Sequence, residues 1–72
     1  ISSYTYQLNK EGMKEIAKKV TEEAGELSIS AVTNDGRVID EAADLMYHLL
    51  VMLRKLNLSY SDVLEELKNR SN

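Results

Sequence analysis

The sequence predicts an all-α protein: an antiparallel helical bundle with three helices in this chain, completed by homodimerisation. Three observations predict it. Apolar residues recur at three-, four- and seven-residue spacings over the first long segment, the mark of a helix that buries one face. No stretch alternates with the two-residue period of a strand. The strong turn signal in the middle of the chain, "NDGR" at 34–37, is only four residues long, and so short a connection makes the helices on either side antiparallel neighbours.

Residues 1–9, "ISSYTYQLN", mix β-branched, hydroxyl and aromatic side chains without a period and are expected to be extended or irregular. Helix one is expected over about residues 10–32, with Met13, Ile16, Val20, Leu27 and Ala31 on one face. Helix two is expected over about residues 37–56. Its middle, "LMYHLLVML" at 45–53, is apolar nearly all the way round, which predicts burial on most sides. Arg54 and Lys55 near its end suit the negative pole of the helix dipole. "NLSYSD" is a short connector, and Ser59 with Asp62 reads as a capping box with Asp in place of Glu. That box starts helix three, about residues 60–70, with Val63, Leu64 and Leu67 facing inward.

The 72 residues make a single domain. A chain of this size buries only about 60% of its unfolded surface. There is no cysteine to staple it. Hydrophobic residues at 43% and charged residues at 29% are a globular composition, so self-association is the expected source of the missing core. The net charge of −3 argues against nucleic acid as a partner, because phosphate backbones are bound by Lys and Arg. It leaves room for a small phosphorylated ligand, since a metal ion can reverse the local sign. No segment reaches the roughly 18 uninterrupted apolar residues of a membrane span, and no signal peptide is visible. A cytoplasmic location is the expectation.

The chemistry is concentrated in acidic residues. Glu22, Glu23 and Glu26 stand in "TEEAGEL" at 21–27, and Glu41 and Asp44 stand three apart in "DEAADLMYH" at 40–48. On helix one, Lys19, Glu22, Glu23 and Glu26 share an arc of roughly 100°, with Glu23 on the border of the apolar face. Taken alone, that arc reads as an ordinary solvated face. Helix two says more. Glu41, Asp44 and His48 line up at i, i+3 and i+7 on a helix that is otherwise apolar. Carboxylates buried without a partner cost several kcal/mol or protonate. An opposing positive charge is therefore required. Lys19, Arg37 or Lys55 is one source; a divalent cation shared between the two helices suits the number of carboxylates better. Mg²⁺ and Mn²⁺ take carboxylate oxygens and bridge phosphates, and paired carboxylates on facing helices are a known way to build metal sites in bundles. Either acidic pair alone is a weak signal; the two together, with fourteen residues between them, are moderately specific.

With those residues in view, the chain resembles the phosphoribosyl-ATP pyrophosphohydrolases of histidine biosynthesis, within the all-α nucleotide pyrophosphohydrolases that also include MazG-like proteins and dimeric dUTPases. The superfamily pattern E-E-x-x-E followed by E-x-x-D reads here as Glu22, Glu23, Glu26, Glu41 and Asp44. The narrower resemblance rests on "SYT" at 3–5, "KKVTEEAGE" at 18–26, "EAADLMYHLLVML" at 41–53 and "LSYSDVLEELKNR" at 58–70. Two positions depart from the family: Thr21 stands where glycine is usual, and Glu15 where lysine is common. Family members commonly carry about one more helix ahead of "SYT".

The resemblance implies hydrolysis of phosphoribosyl-ATP to phosphoribosyl-AMP and pyrophosphate, with Mg²⁺ (or Mn²⁺ in its place), by attack of water between the α and β phosphates. Carried over by position, it implies Glu23, Glu26, Glu41 and Asp44 as metal ligands. Glu22 becomes a ligand to a second ion or the base that orients water, and Lys19 neutralises phosphate charge. Tyr4 and Thr5 are candidates for substrate contact. His48 is expected to meet substrate or a carboxylate behind the ligands rather than Mg²⁺, which favours oxygen. Two rival readings stand beside this one: a MazG-like pyrophosphohydrolase acting on other nucleoside triphosphates, and a non-catalytic helical dimerisation module. Tyr47 and the Met and Leu residues of helix two read as core or dimer interface. Glu65, Glu66, Lys14 and Lys18 read as solvated charges.

Overall fold

The computed structural model describes residue 10 and residues 12–71. The expected irregular segment 1–9, with Tyr4 and Thr5, lies outside the described residues. All elements found among them are helices: α1 (Met13–Thr33), α2 (Val38–Lys55) and α3 (Tyr60–Arg70).

Local chemistry sets each boundary. Gly12, just ahead of α1, has φ 92°, a conformation that glycine tolerates and side-chain-bearing residues resist. Helix α1 ends at Asn34, which is left-handed (φ 55°) and donates its N–H to the Ser30 carbonyl at 3.0 Å. That is an αL cap, with asparagine in glycine's usual role. The turn is then clasped by one side chain. Asp35 Oδ1 accepts from the Ser30 hydroxyl and, at 2.9 Å, from the Arg37 backbone N–H. Ser30 is buried. These two hydrogen bonds, the Ser30 one first, hold the Asp35 carboxyl below the ordinary aspartate value.

Helix α2 opens with Asp40 and Glu41 and closes with Arg54 and Lys55, each sign favourable at its pole. It ends in a Schellman arrangement. Asn57 is left-handed (φ 61°), its N–H reaches the Arg54 carbonyl at 3.0 Å, and the Leu58 N–H reaches the Leu53 carbonyl at 2.8 Å. At α3 the capping box is formed in both directions: Ser59 N–H donates to Asp62 Oδ2 at 2.8 Å, and Asp62 N–H donates to Ser59 Oγ at 3.3 Å.

Helices α1 and α2 pack on each other; α3 makes only marginal contact with either. Ser30 meets Asp35, Glu23 meets His48, and Ile16 shares a cluster with Val51. One number falls as the other rises, so the pair is antiparallel. The core is small. Ile16 is fully buried and Val51 nearly so, with Met13, Tyr47 and Met52 packed around them.

Helix α2 is expected to be covered on most sides, but within one chain α1 covers a single face. Met46 and Leu50 remain 47% and 42% exposed, and Ile29, Val32 and Ile39 are more open still. No helix among the described residues is long and apolar enough to cross a membrane.

Candidate active site on the facing acidic turns of α1 and α2

The antiparallel register puts the middle of α1 opposite the first half of α2. Glu23 crosses this interface. Its side chain is 14% exposed, and its Oε1 forms an ion pair with Nδ1 of His48, itself 6% exposed. The same nitrogen lies 3.0 Å from the Asp44 carbonyl oxygen. A ring nitrogen carries at most one proton. Nδ1 is thus shared between the Glu23 carboxylate and the Asp44 carbonyl, and Glu23 Oε1 is shut off from solvent behind it. The Tyr47 ring meets the His48 ring edge-on, at 5.1 Å and 82°, and fixes the imidazole from the side.

The electrostatics of Glu23 describe the site. Its carboxyl is raised above the ordinary glutamate value, chiefly by burial. His48 pulls it down; the negative charges of Asp44 and Glu26 push it up further. Glu23 therefore feels a carboxylate from each of the two helices.

The remaining acidic residues are placed as follows. Glu41 is 12% exposed, and its Oε1 accepts from Nη2 of Arg37 at 3.2 Å. The other arm of the same guanidinium reaches Asp40 Oδ2 at 3.5 Å. Glu22, Glu26 and Asp44 are exposed, and Lys19 is half-buried on the same helix as the glutamates.

As the side chains stand, no three His, Asp or Glu groups among the described residues are gathered closely enough to hold a metal ion. The reason is visible in the contacts: Glu23 is turned to His48, and Glu41 to Arg37. The residues nonetheless fit a hard divalent cation on two observations. The donors are carboxylate oxygens, which Mg²⁺ prefers. Glu23 is largely buried, and the charges of Asp44 and Glu26 push its carboxyl up further, a situation that a cation relieves.

Two structural contacts went unread in the sequence. Arg37 entered only as one of several counter-charges, although its i, i+4 spacing to Glu41 is a standard ion-pair signal. Ser30 drew no attention because a serine in mid-helix carries no periodicity signal; its role comes from its hydroxyl reaching Asp35 in the turn that follows.

Comparison with known proteins places the chain. The family model of phosphoribosyl-ATP pyrophosphohydrolase matches residues 1–71. A phosphoribosyl-ATP pyrophosphatase of Pyrobaculum neutrophilum is 52% identical over 69 residues, which cover 94% of this chain and 73% of that protein. Its counterpart in Pyrobaculum aerophilum is 51% identical over the same shares of both chains. The histidine biosynthesis bifunctional protein HisIE of Campylobacter jejuni is 53% identical over 70 residues, which cover 96% of this chain but only 34% of that protein. The acidic face of α1 and α2 thus belongs to a chain matched from end to end by one hydrolase family: this protein is a member of the phosphoribosyl-ATP pyrophosphohydrolase family.

Proposed function

We propose that the facing acidic turns of α1 and α2 are where phosphoribosyl-ATP is cut, with Mg²⁺ held by Glu23, Glu26, Glu41 and Asp44. The reaction is the hydrolysis that the family is named for, a step of histidine biosynthesis. The observation that carries the site is Glu23: a carboxylate only 14% exposed, under the negative charges of two further carboxylates, Asp44 and Glu26. Such a site is costly to maintain in a small helical pair unless a cation completes it.

When bound, Mg²⁺ supplies neutralising charge to the phosphates. The chain's own residues do the rest. Glu22, exposed on the same turn as Glu23, orients the attacking water or holds a second ion. The water oxygen bonds to the α-phosphorus and gives up a proton to Glu22 or to solvent, the bond to the bridging oxygen of the β-phosphate breaks, and pyrophosphate leaves. Lys19 offsets charge on the departing phosphates. His48 is a positioning residue: its Nδ1 holds the Glu23 carboxylate, and Tyr47 holds the ring. Such displacement is mostly positioning and charge neutralisation.

The test is a pyrophosphate-release assay on phosphoribosyl-ATP and on a panel of deoxynucleoside triphosphates, with Mg²⁺ and with a chelator. Release from phosphoribosyl-ATP that stops on chelation is the expected result. Release from the deoxynucleotides alone would favour the MazG-like reading instead.

The assembly proposed is a homodimer. One chain leaves Ile29, Val32, Ile39, Met46 and Leu50 exposed along the helical pair, and a second copy is the simplest cover for them. Sedimentation should give a mass of two chains. A stable monomer at low micromolar concentration would remove the dimer. A cytoplasmic location, as for a biosynthetic enzyme, is part of the same proposal.

A further inference from the structure

We propose that Arg37 is a positioning residue for the reaction: its guanidinium orients the Glu41 carboxylate so that one oxygen is held and the other is presented to the cation. The inference rests on the reading of Glu41 as a metal ligand.

The geometry is specific. Nη2 of Arg37 is 3.2 Å from Glu41 Oε1, and Nη1 is 3.5 Å from Asp40 Oδ2. The fork is thus shared between two carboxylates of the first turn of α2, which limits its freedom to swing. The Arg37 backbone is fixed as well, because its N–H donates to Asp35 Oδ1 at 2.9 Å. Asp35 in turn accepts from the hydroxyl of buried Ser30 at the end of α1. A continuous chain of contacts therefore runs from the last turn of α1, through the connecting turn, to Glu41. With Oε1 engaged by Arg37, the proposal leaves the other carboxylate oxygen of Glu41 to the cation.

Charge alone argues the other way. A guanidinium beside a metal site repels the cation, so simple Coulomb reasoning has Arg37 weakening Mg²⁺ binding. As an exposed ion pair it also contributes little to stability; the Arg37 side chain is 59% exposed. Orientation of a ligand by its hydrogen-bond partner opposes that repulsion, and loss of such partners typically costs about 10–100-fold in metal affinity. The two accounts predict opposite signs, which makes the question decidable.

The experiment is Mg²⁺ titration by calorimetry, without substrate, on the wild type and on Arg37→Ala, Arg37→Gln and Glu41→Gln, each checked by circular dichroism for helicity. Positioning predicts that Arg37→Ala weakens Mg²⁺ about 10-fold or more. Arg37→Gln, which keeps an N–H donor without the charge, should recover part of the loss. On the Glu41→Gln background, Arg37→Ala should change nothing further. Tighter Mg²⁺ binding in Arg37→Ala, or no change, overturns the proposal while leaving Glu41 as a ligand. Unaltered Mg²⁺ binding in Glu41→Gln alone overturns the reading beneath it, and this inference with it.

Discussion

Glu23→Gln is expected to abolish Mg²⁺-dependent turnover and, in the same protein, to raise the melting temperature measured with chelator present. Both halves follow from one carboxylate. Glu23 is the ligand candidate that lies across the helix interface, against His48 and within reach of the charges of Asp44 and Glu26. A metal supplies several kcal/mol of charge stabilisation in the transition state, so losing a ligand at its centre should lower kcat on the order of 10³-fold. Without metal, the same charge is a burden. Burial and two negative neighbours raise the Glu23 carboxyl above its ordinary value of 4.5.

The sign of the pH dependence follows. An acid with a raised folded-state pKa binds its proton more tightly in the fold than in the unfolded chain. The stability it contributes is present below pH 4.5 and is lost as pH rises through the raised value. Melting curves of the metal-free wild type should therefore fall across that window, and those of Glu23→Gln should fall less. Mg²⁺ should raise the wild-type melting temperature at neutral pH and leave the variant unmoved. Full turnover in Glu23→Gln would mean that the metal sits elsewhere. A lower melting temperature in the metal-free variant would mean that the His48 ion pair outweighs the burial cost.

Ile16→Ala is expected to unfold the protein at physiological temperature or bring it close. Ile16 is the one fully buried hydrophobic side chain among the described residues, and it joins Met13 on α1 to Tyr47, Val51 and Met52 on α2. Truncating such a residue typically costs about 2–5 kcal/mol. Small domains hold about 5–15 kcal/mol in total, and a domain of this size loses roughly 4–8 °C in Tm per kcal/mol. A drop of at least about 8 °C is the expected reading by thermal melting. Because Tyr47 braces His48 and His48 braces Glu23, Mg²⁺ affinity should fall as well. A shift of only a few degrees would place the energetic core at the contact between subunits rather than within the chain.

The sequence by itself determined the class of fold, because the evidence for it is local. Helical periodicity in 13–31, the turn chemistry of 34–37 and the Ser59–Asp62 capping box each act over a few residues, and each is realised in α1, the connecting turn and α3. It also determined the family, through runs such as "EAADLMYHLLVML" that cover the chain. Tertiary structure alone decided which acidic residues are neighbours. Five carboxylates at helical spacing look alike in one dimension; packing α1 against α2 buries most of Glu23 beside His48 and leaves Glu22 and Glu26 exposed, whereas the Arg37–Glu41 pair is local. How far helix two is buried is undecided by one chain for the same reason: α1 covers one face and Met46 and Leu50 stay exposed. An apolar helix announces how much surface it must cover but not what covers it, since that depends on partners distant in the chain or on another molecule altogether.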